Sequence, residues 1–202
     1  MFSGIVQEIG VVENIKSLNE ILNIEISSLE LMSDLKEGDS IAVDGCCQTV
    51  VNKNKSSFVV QATEETLSKT NFKNLKIGSK VNLESALKLG DKINGHLVTG
   101  HIDTVGEISD VLSFFDNKII KITFPASLKN FIAPKGSITV NGVSLTVIEV
   151  EKSEFSFTLI PYTRDNTNLG FLNSGDTVNL EVDLVSRYLV NYMDNAKVLT
   201  HQ

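Results

Sequence analysis

The chain has 202 residues, 42% of them hydrophobic, and a formal net charge of −7. That acidity argues against a nucleic-acid surface of clustered Lys and Arg, and no apolar run reaches the roughly 18 residues of a membrane span. Met1-Phe2-Ser3-Gly4 lacks the basic-then-apolar order of a secretory signal, and Cys46 and Cys47 are adjacent, so free thiols and a cytoplasmic location are expected.

Residues 5–12, rich in Ile and Val, predict a first strand. Over 22–27 Leu22, Ile24 and Ile26 alternate with polar residues, the period-2 signature of a half-buried strand. A short helix-like piece at 29–35 closes at Glu37-Gly38-Asp39. Strands at 40–43 and 46–51 flank Asp44-Gly45, a pair suited to a tight turn with positive φ at both positions. A strand at 57–62, a helical turn at 64–68 and a strand at 80–85 follow. After a joint at 88–95, with Gly90 and Gly95 as hinges, the order repeats. Strands are predicted at 101–109, 119–124, 137–140, 143–150, 155–160 and 177–182, with a helix at 126–132. Six short strands per unit read as a small barrel or sandwich. The tail, 184–199, sets Val185, Tyr188, Leu189, Tyr192, Ala196 and Leu199 on one helical side. That stripe must bury itself against its own barrel or against other copies of the chain.

The repetition extends to residue identity. Asp44-Gly45-Cys46-Cys47-Gln48-Thr49-Val50 returns 97 positions later as Asn141-Gly142-Val143-Ser144-Leu145-Thr146-Val147. At the same offset Val81-Asn82-Leu83-Glu84 equals Val178-Asn179-Leu180-Glu181, and Thr70-Asn71 equals Thr167-Asn168. Phe58, Thr66 and Gly78 match Phe155, Thr163 and Gly175, and one residue earlier in register Gly4 and Gly10 match Gly100 and Gly106. A period this long means two copies of one domain, not a solenoid. The expected units are 1–96, 97–183 and a C-terminal helix at 184–202.

Met1-Phe2-Ser3-Gly4-Ile5-Val6, the 44–50 stretch, Gly95-His96-Leu97-Val98-Thr99-Gly100-His101-Ile102, 141–147 and Ile160-Pro161 together resemble riboflavin synthase of the two-repeat, lumazine-binding type. The resemblance spans nearly the whole chain. It implies an all-β fold of two tandem six-stranded Greek-key barrels plus a C-terminal α-helix. It also implies a homotrimer held by those helices, no cofactor, and an association with lumazine synthase. The implied reaction is a dismutation of two 6,7-dimethyl-8-ribityllumazine molecules. A four-carbon unit passes between them, leaving riboflavin and 5-amino-6-ribitylaminouracil. Two similar barrels suit two identical substrates, because holding reactants face to face removes barrier without a reactive side chain.

Cys47 matches the family's sensitive cysteine, able to hydrogen-bond or to add to an electrophilic ring carbon. By itself a free cysteine is more often a small buried hydrophobe, which is the reading for Cys46, on the opposite strand face. His101 suits proton transfer near neutral pH, in particular from the acidic C7 methyl. Ser144, Thr49 and Thr146 carry hydroxyls for the ring or for a water at C7, although Thr also simply suits strands. Binding positions implied by the resemblance are Gly4, Ile5, Val6, Gly100 and Ile102 for the ring edge, with Gln48 and Leu145 beside them. Gln61, Ala62, Thr63, Glu64, Glu65 and Thr66, and their mates Thr158, Leu159, Ile160, Pro161, Tyr162 and Thr163, would close each pocket over a ribityl chain. Lys135 and Asp183 are further pocket candidates, Asp183 as an anchor for His101 or for the ribityl hydroxyls. His96 and His201 receive no role. Cys47 against Ser144, and Ile5 against His101, make the copies unequal, as donor and acceptor must be. The chain departs from the family at Asp44, where Asn is common, and at Gln48, where Leu is common.

No Cys-x-x-Cys or comparable spacing supports a metal site, and no Gly-rich turn opens a helix after a strand. The rival reading is a non-catalytic binder, either an antenna-type lumazine protein or a flavin carrier, because fold does not fix function.

Overall fold

The computed structural model describes residues 1–199, which leaves His201 and the end of the predicted third unit outside the described residues. In the first copy β1 (Glu8–Leu18), β2 (Ile21–Ser27), β3 (Ser40–Val43), β4 (Cys46–Lys53), β5 (Ser57–Ala62) and β6 (Lys80–Ser85) form a closed antiparallel barrel. The order around it is β1-β2-β5-β4-β3-β6, so β2 pairs with β5 and β6 closes the barrel between β3 and β1. Alternate residues fill the interior: Ile24 and Ile26, Phe58 and Val60, Val81 and Leu83 are all fully buried. Period-2 alternation gives each strand one apolar face, and closure buries six such faces together.

The second copy repeats the path with β7 (Thr104–Phe114), β8 (Asn117–Thr123), β9 (Ser137–Val140), β10 (Val143–Thr146), β11 (Glu149–Glu151), β12 (Glu154–Leu159) and β13 (Thr177–Val182). The strand expected over 143–150 is split into β10 and β11. At the break Val147 turns aside, its N–H bonding to Gly136 O at 3.0 Å and its carbonyl accepting from Lys135 N at 2.8 Å. Copy one makes the same detour without losing the strand: Gly38 N donates to Val50 O, and Val50 N to Asp39 O. Lys135 takes φ +66° where copy one has Gly38 at +89°. The result is a seven-stranded sheet in the strand order of the first barrel but cut between β10 and β11, called barrel two below, with Ile148 N donating to Ser156 O of β12 at 2.8 Å. Short 3-10 turns at Leu31–Ser33 and Ala126–Phe131 replace the expected helical pieces, while α1 (Glu64–Lys69) and α2 (Pro161–Asn166) are single α-helical turns.

Both first strands start later than predicted, at Glu8 and Thr104, and run on to Leu18 and Phe114. The segments before them are held by the opposite copy. Phe2 and Val98 exchange backbone bonds of 2.8 and 3.1 Å. Ile102 packs on the core of barrel one, and Val6 on the core of barrel two. The two leaders are therefore crossed.

The Asp44-Gly45 and Asn141-Gly142 turns meet on the pseudo-twofold axis. All four residues have positive φ, as a tight hairpin requires. A Cβ built on Gly45 would lie 2.5 Å from Gly142 N, and one on Gly142 would lie 2.8 Å from Gly45 N, so only glycine fits either turn. Around them runs a ring of buried amides. Asn82 Nδ2 donates to Asn141 O at 2.8 Å, and its mate Asn179 Nδ2 donates to Asp44 O at 3.0 Å. Asn168 N donates to Asn82 Oδ1, and Asn71 N to Asn179 Oδ1.

The tail forms α3 (Leu184–Leu199). Asp183 starts it, its Oδ1 accepting from Val185 N at 2.8 Å, and Arg187 ties it to barrel two through bonds of 2.7 and 3.0 Å to Asp103. The predicted stripe faces solvent: Val185 is 72% exposed, Tyr188 69% and Tyr192 71%. Leu199's side chain lies outside the described residues. Among the described residues no helix is long and apolar enough to cross a membrane.

Two crossed candidate ligand sites

Strand β4 presents Cys47 and Thr49 on its outer face, because Cys46, Gln48 and Val50 point inward. Cys47 pairs with Ala42 of β3, and its N–H donates 2.8 Å to Gly100 O of the second leader. That bond brings His101, exposed, and Ile102 to the Cys47 side of barrel one. The mirror arrangement gathers Ser144 and Thr146 on the outer face of β10, with Ser144 N donating 2.8 Å to Gly4 O. Ile5 and Val6 follow. Both glycines have positive φ, and a Cβ at either would lie within 2.6 Å of the Cys47 or Ser144 Cβ. Each candidate site thus joins the strands of one barrel to the leader of the other. Gln61 of β5 and Thr158 of β12 lie on the outward faces, next to Thr63 and Ile160, which open α1 and α2. Thr49, Gln61, Thr63 and His101 are exposed, so the first site is open in the single chain.

Several predicted contact residues face elsewhere. Gln48 and Leu145 point into the barrel interiors with Ala62 and Leu159, because their strand parity is opposite to that of Cys47, Ser144, Gln61 and Thr158. Gln48 Nε2 donates to Cys47 O at 2.9 Å and to Cys46 Sγ at 3.3 Å, while its buried Oε1 finds no partner among the described residues. Burial pushes the Cys46 thiol up to about 12, so Cys46 is an inert core group and Cys47 the accessible thiol; both are free. Asp183 serves the start of α3 and makes no hydrogen bond to His101. Lys135, Glu64, Glu65 and Tyr162 are exposed, Thr66, Pro161 and Thr163 half-buried.

The sequence reading missed His96. The linker passes over β9 and β10, and the imidazole bridges them: Nδ1 lies 2.7 Å from Ser144 Oγ and Nε2 3.2 Å from Thr139 Oγ1. Burial lowers its pKa, against a smaller opposing pull from Asp183, and keeps the ring neutral. Gly95 fits only as glycine, a Cβ there lying 2.2 Å from Ser3 O. The glycine beside the histidine was the one available signal. The sites are therefore chemically unequal: a thiol with an exposed histidine leader in one, a hydroxyl bonded to a half-buried histidine in the other.

Known proteins are similar to this chain. The model of the lumazine binding domain matches residues 3–86 and again 99–183. The chain, which carries that domain twice, belongs to the riboflavin synthase family. It is 40% identical over 200 residues to the riboflavin synthase of Mycobacterium bovis, covering 97% of this chain and 100% of that one. To the riboflavin synthase of Bacillus subtilis it is 35% identical over 196 residues, covering 97% and 91%. Among solved structures, LumP complexed with 6,7-dimethyl-8-(1'-D-ribityl) lumazine aligns with a TM-score of 0.82 at 27% identity, over 90% of this chain and 99% of that chain.

Proposed function

We propose that this chain is an enzyme that dismutates two 6,7-dimethyl-8-ribityllumazine molecules, moving a four-carbon unit between them to give riboflavin and 5-amino-6-ribitylaminouracil. The observation that carries the reading is the pair of crossed, unequal sites. A passive binder needs no difference between its halves, whereas donor and acceptor of one transfer must be told apart. The transfer balances between the two substrates, with no outside oxidant or reductant.

In this reading one lumazine lies on the outer face of barrel one, against Cys47, Thr49 and the Gly100-His101-Ile102 leader. The other lies on barrel two, against Ser144, Thr146 and the Gly4-Ile5-Val6 leader. His101 takes the C7-methyl proton as a base near neutral pH. Ser144 presents its hydroxyl oxygen at C7 of the second ring. His96 acts through Ser144 as a positioning residue, Nδ1 accepting the hydroxyl proton and Nε2–H donating to Thr139. Both faces are open, and stacked rings must exclude water to react. We therefore assign their closure to a neighbouring subunit in a homotrimer seated on the exposed Val185, Tyr188, Leu189 and Tyr192 face of α3. A reducing cytoplasm suits the two free thiols.

The similarity to a solved structure that holds a lumazine favours one second reading, a protein that binds without turnover. A single experiment separates them. The purified chain is mixed with the lumazine alone and the flavin absorbance followed. One riboflavin formed per two lumazines consumed supports the synthase; saturable binding with constant lumazine refutes it.

A further inference from the structure

We propose that Glu181 and Glu84 are crossed positioning residues, each carboxylate on the last strand of one barrel holding the leader that completes the ligand site on the other. Glu181, on β13 of barrel two, accepts at Oε1 from Thr99 N at 2.7 Å and Thr99 Oγ1 at 2.6 Å, and at Oε2 from Gly100 N at 2.9 Å. The next peptide oxygen, Gly100 O, receives Cys47 N of barrel one at 2.8 Å. Glu84, on β6 of barrel one, repeats this. Its Oε1 accepts from Ser3 N at 2.7 Å and Ser3 Oγ at 2.9 Å, and its Oε2 from Gly4 N at 3.1 Å. Gly4 O then receives Ser144 N of barrel two at 2.8 Å.

The geometry has three consequences. Both glutamates are nearly fully buried, and a buried carboxylate is tolerated only when its oxygens are filled by donors. Consecutive backbone N–H groups converging on a carboxylate make charge-assisted bonds, the stronger kind, and fix the leader's two peptide planes at once. Those planes aim the residues that follow, His101 and Ile102 from one carboxylate, Ile5 and Val6 from the other. Neither glutamate stands in the strands of the site it sets. Damage at Glu181, in barrel two, therefore reaches the Cys47 site, and damage at Glu84 reaches the Ser144 site. The clamp concerns the two sites assigned above, but its test uses no ligand.

Accessible thiols report on each site. Cys47 is the reporter in the native chain, since Cys46 is buried. The double variant C47S/S144C moves the reporter to the other site. Glu→Gln at either clamp keeps the shape but sets an amide N–H₂ against a backbone N–H. E181Q should speed labelling of Cys47 by an aromatic disulfide reagent about fivefold, the scale of one charge-assisted bond weakened, and leave the reporter of C47S/S144C within about twofold. E84Q should do the reverse. Equal effects on both reporters, an uncrossed pattern, or no change would each overturn the assignment. If either Gln variant does not fold, T99V and S3A remove one bond from each carboxylate and are judged by the same crossed pattern at smaller amplitude. A crossed labelling pattern in a protein that never forms riboflavin would keep the clamp and remove only the synthase reading.

Discussion

Gln48 is a polar side chain where its counterpart, Leu145, is apolar, and both point into a barrel core. Its Oε1 is buried without a partner, and leaving an acceptor so costs about 1–3 kcal/mol. Gln48→Leu should therefore stabilise the protein by roughly 1 kcal/mol, since the Nε2 bonds are lost as the orphan is removed. A higher urea midpoint with an unchanged slope would show it, and a lower midpoint would refute it. His96 carries a second expectation at this scale. Its pKa lies below the ordinary 6.5 because burial disfavours the cation. The neutral ring can accept from Ser144 at pH 7; on acidification Nδ1 gains a proton and the bond reverses. Turnover should thus hold at neutral pH and fall only on acidification beyond the ordinary imidazole range. His96→Asn should lower kcat about 10- to 100-fold and alter that acid limb. A variant whose kcat and acid limb both match the parent's would refute the role of His96.

At the scale of elements, α3 is amphipathic the wrong way round for a helix that merely packs on its own barrel. Arg187 grips Asp103, while Val185, Tyr188, Leu189, Tyr192 and Met193 remain at least half exposed. Exposed aromatics in one stripe are the compositional signature of an interface. Replacing Tyr188 and Tyr192 with Lys should lower the mass seen by light scattering from that of an oligomer to the 22.1 kDa of one chain. The far-ultraviolet spectrum should not change. Turnover should fall with the mass, because the open sites lose their covering neighbour. An undiminished mass would place the contact elsewhere.

Across the whole molecule, the pairing about the pseudo-twofold axis is broken where Asp44 stands opposite Asn141. Asn141 accepts from Asn179 N at its Oδ1 and donates from Nδ2 to Asn168 Oδ1 at 3.3 Å. Asp44 keeps the first role, its Oδ1 taking Asn82 N at 2.8 Å and also Asn168 Nδ2 at 2.8 Å. Its carboxyl has no N–H to give, and Asn71 Oδ1, the mirror acceptor, is buried without a partner among the described residues. Burial raises the Asp44 carboxyl to about 7 against these two opposing bonds. Because the folded pKa is the higher one, the stabilisation is complete below the unfolded value of 3.8 and is lost as pH climbs through about 7. Between pH 5 and 8 this linkage removes about 2–3 kcal/mol. Asp44→Asn restores the donor and removes the charge. Its melting temperature should exceed the parent's by a margin that widens by roughly 5–10 °C from pH 5 to pH 8. A margin independent of pH would show that Asp44 stays ionised in the fold.

The sequence by itself determined the duplication, the barrel strands and the outward faces that carry Cys47, Thr49, Ser144 and Thr146. Those properties follow from local periodicity and from comparing one half with the other, and both are written along the chain. The Asp-Gly and Asn-Gly turns were legible for the same reason, since positive φ is a local demand. Tertiary structure alone decided that the leaders cross and that His101 therefore joins Cys47. It also decided that His96 reaches Ser144 and that Glu84 and Glu181 hold the leaders in place. Each of these joins backbone or side-chain groups more than 40 residues apart, through one to three hydrogen bonds that leave no periodic trace. The strand starts at residues 5 and 101 were misplaced on the same ground: apolar leader residues look like strand until the opposite copy claims their hydrogen bonds.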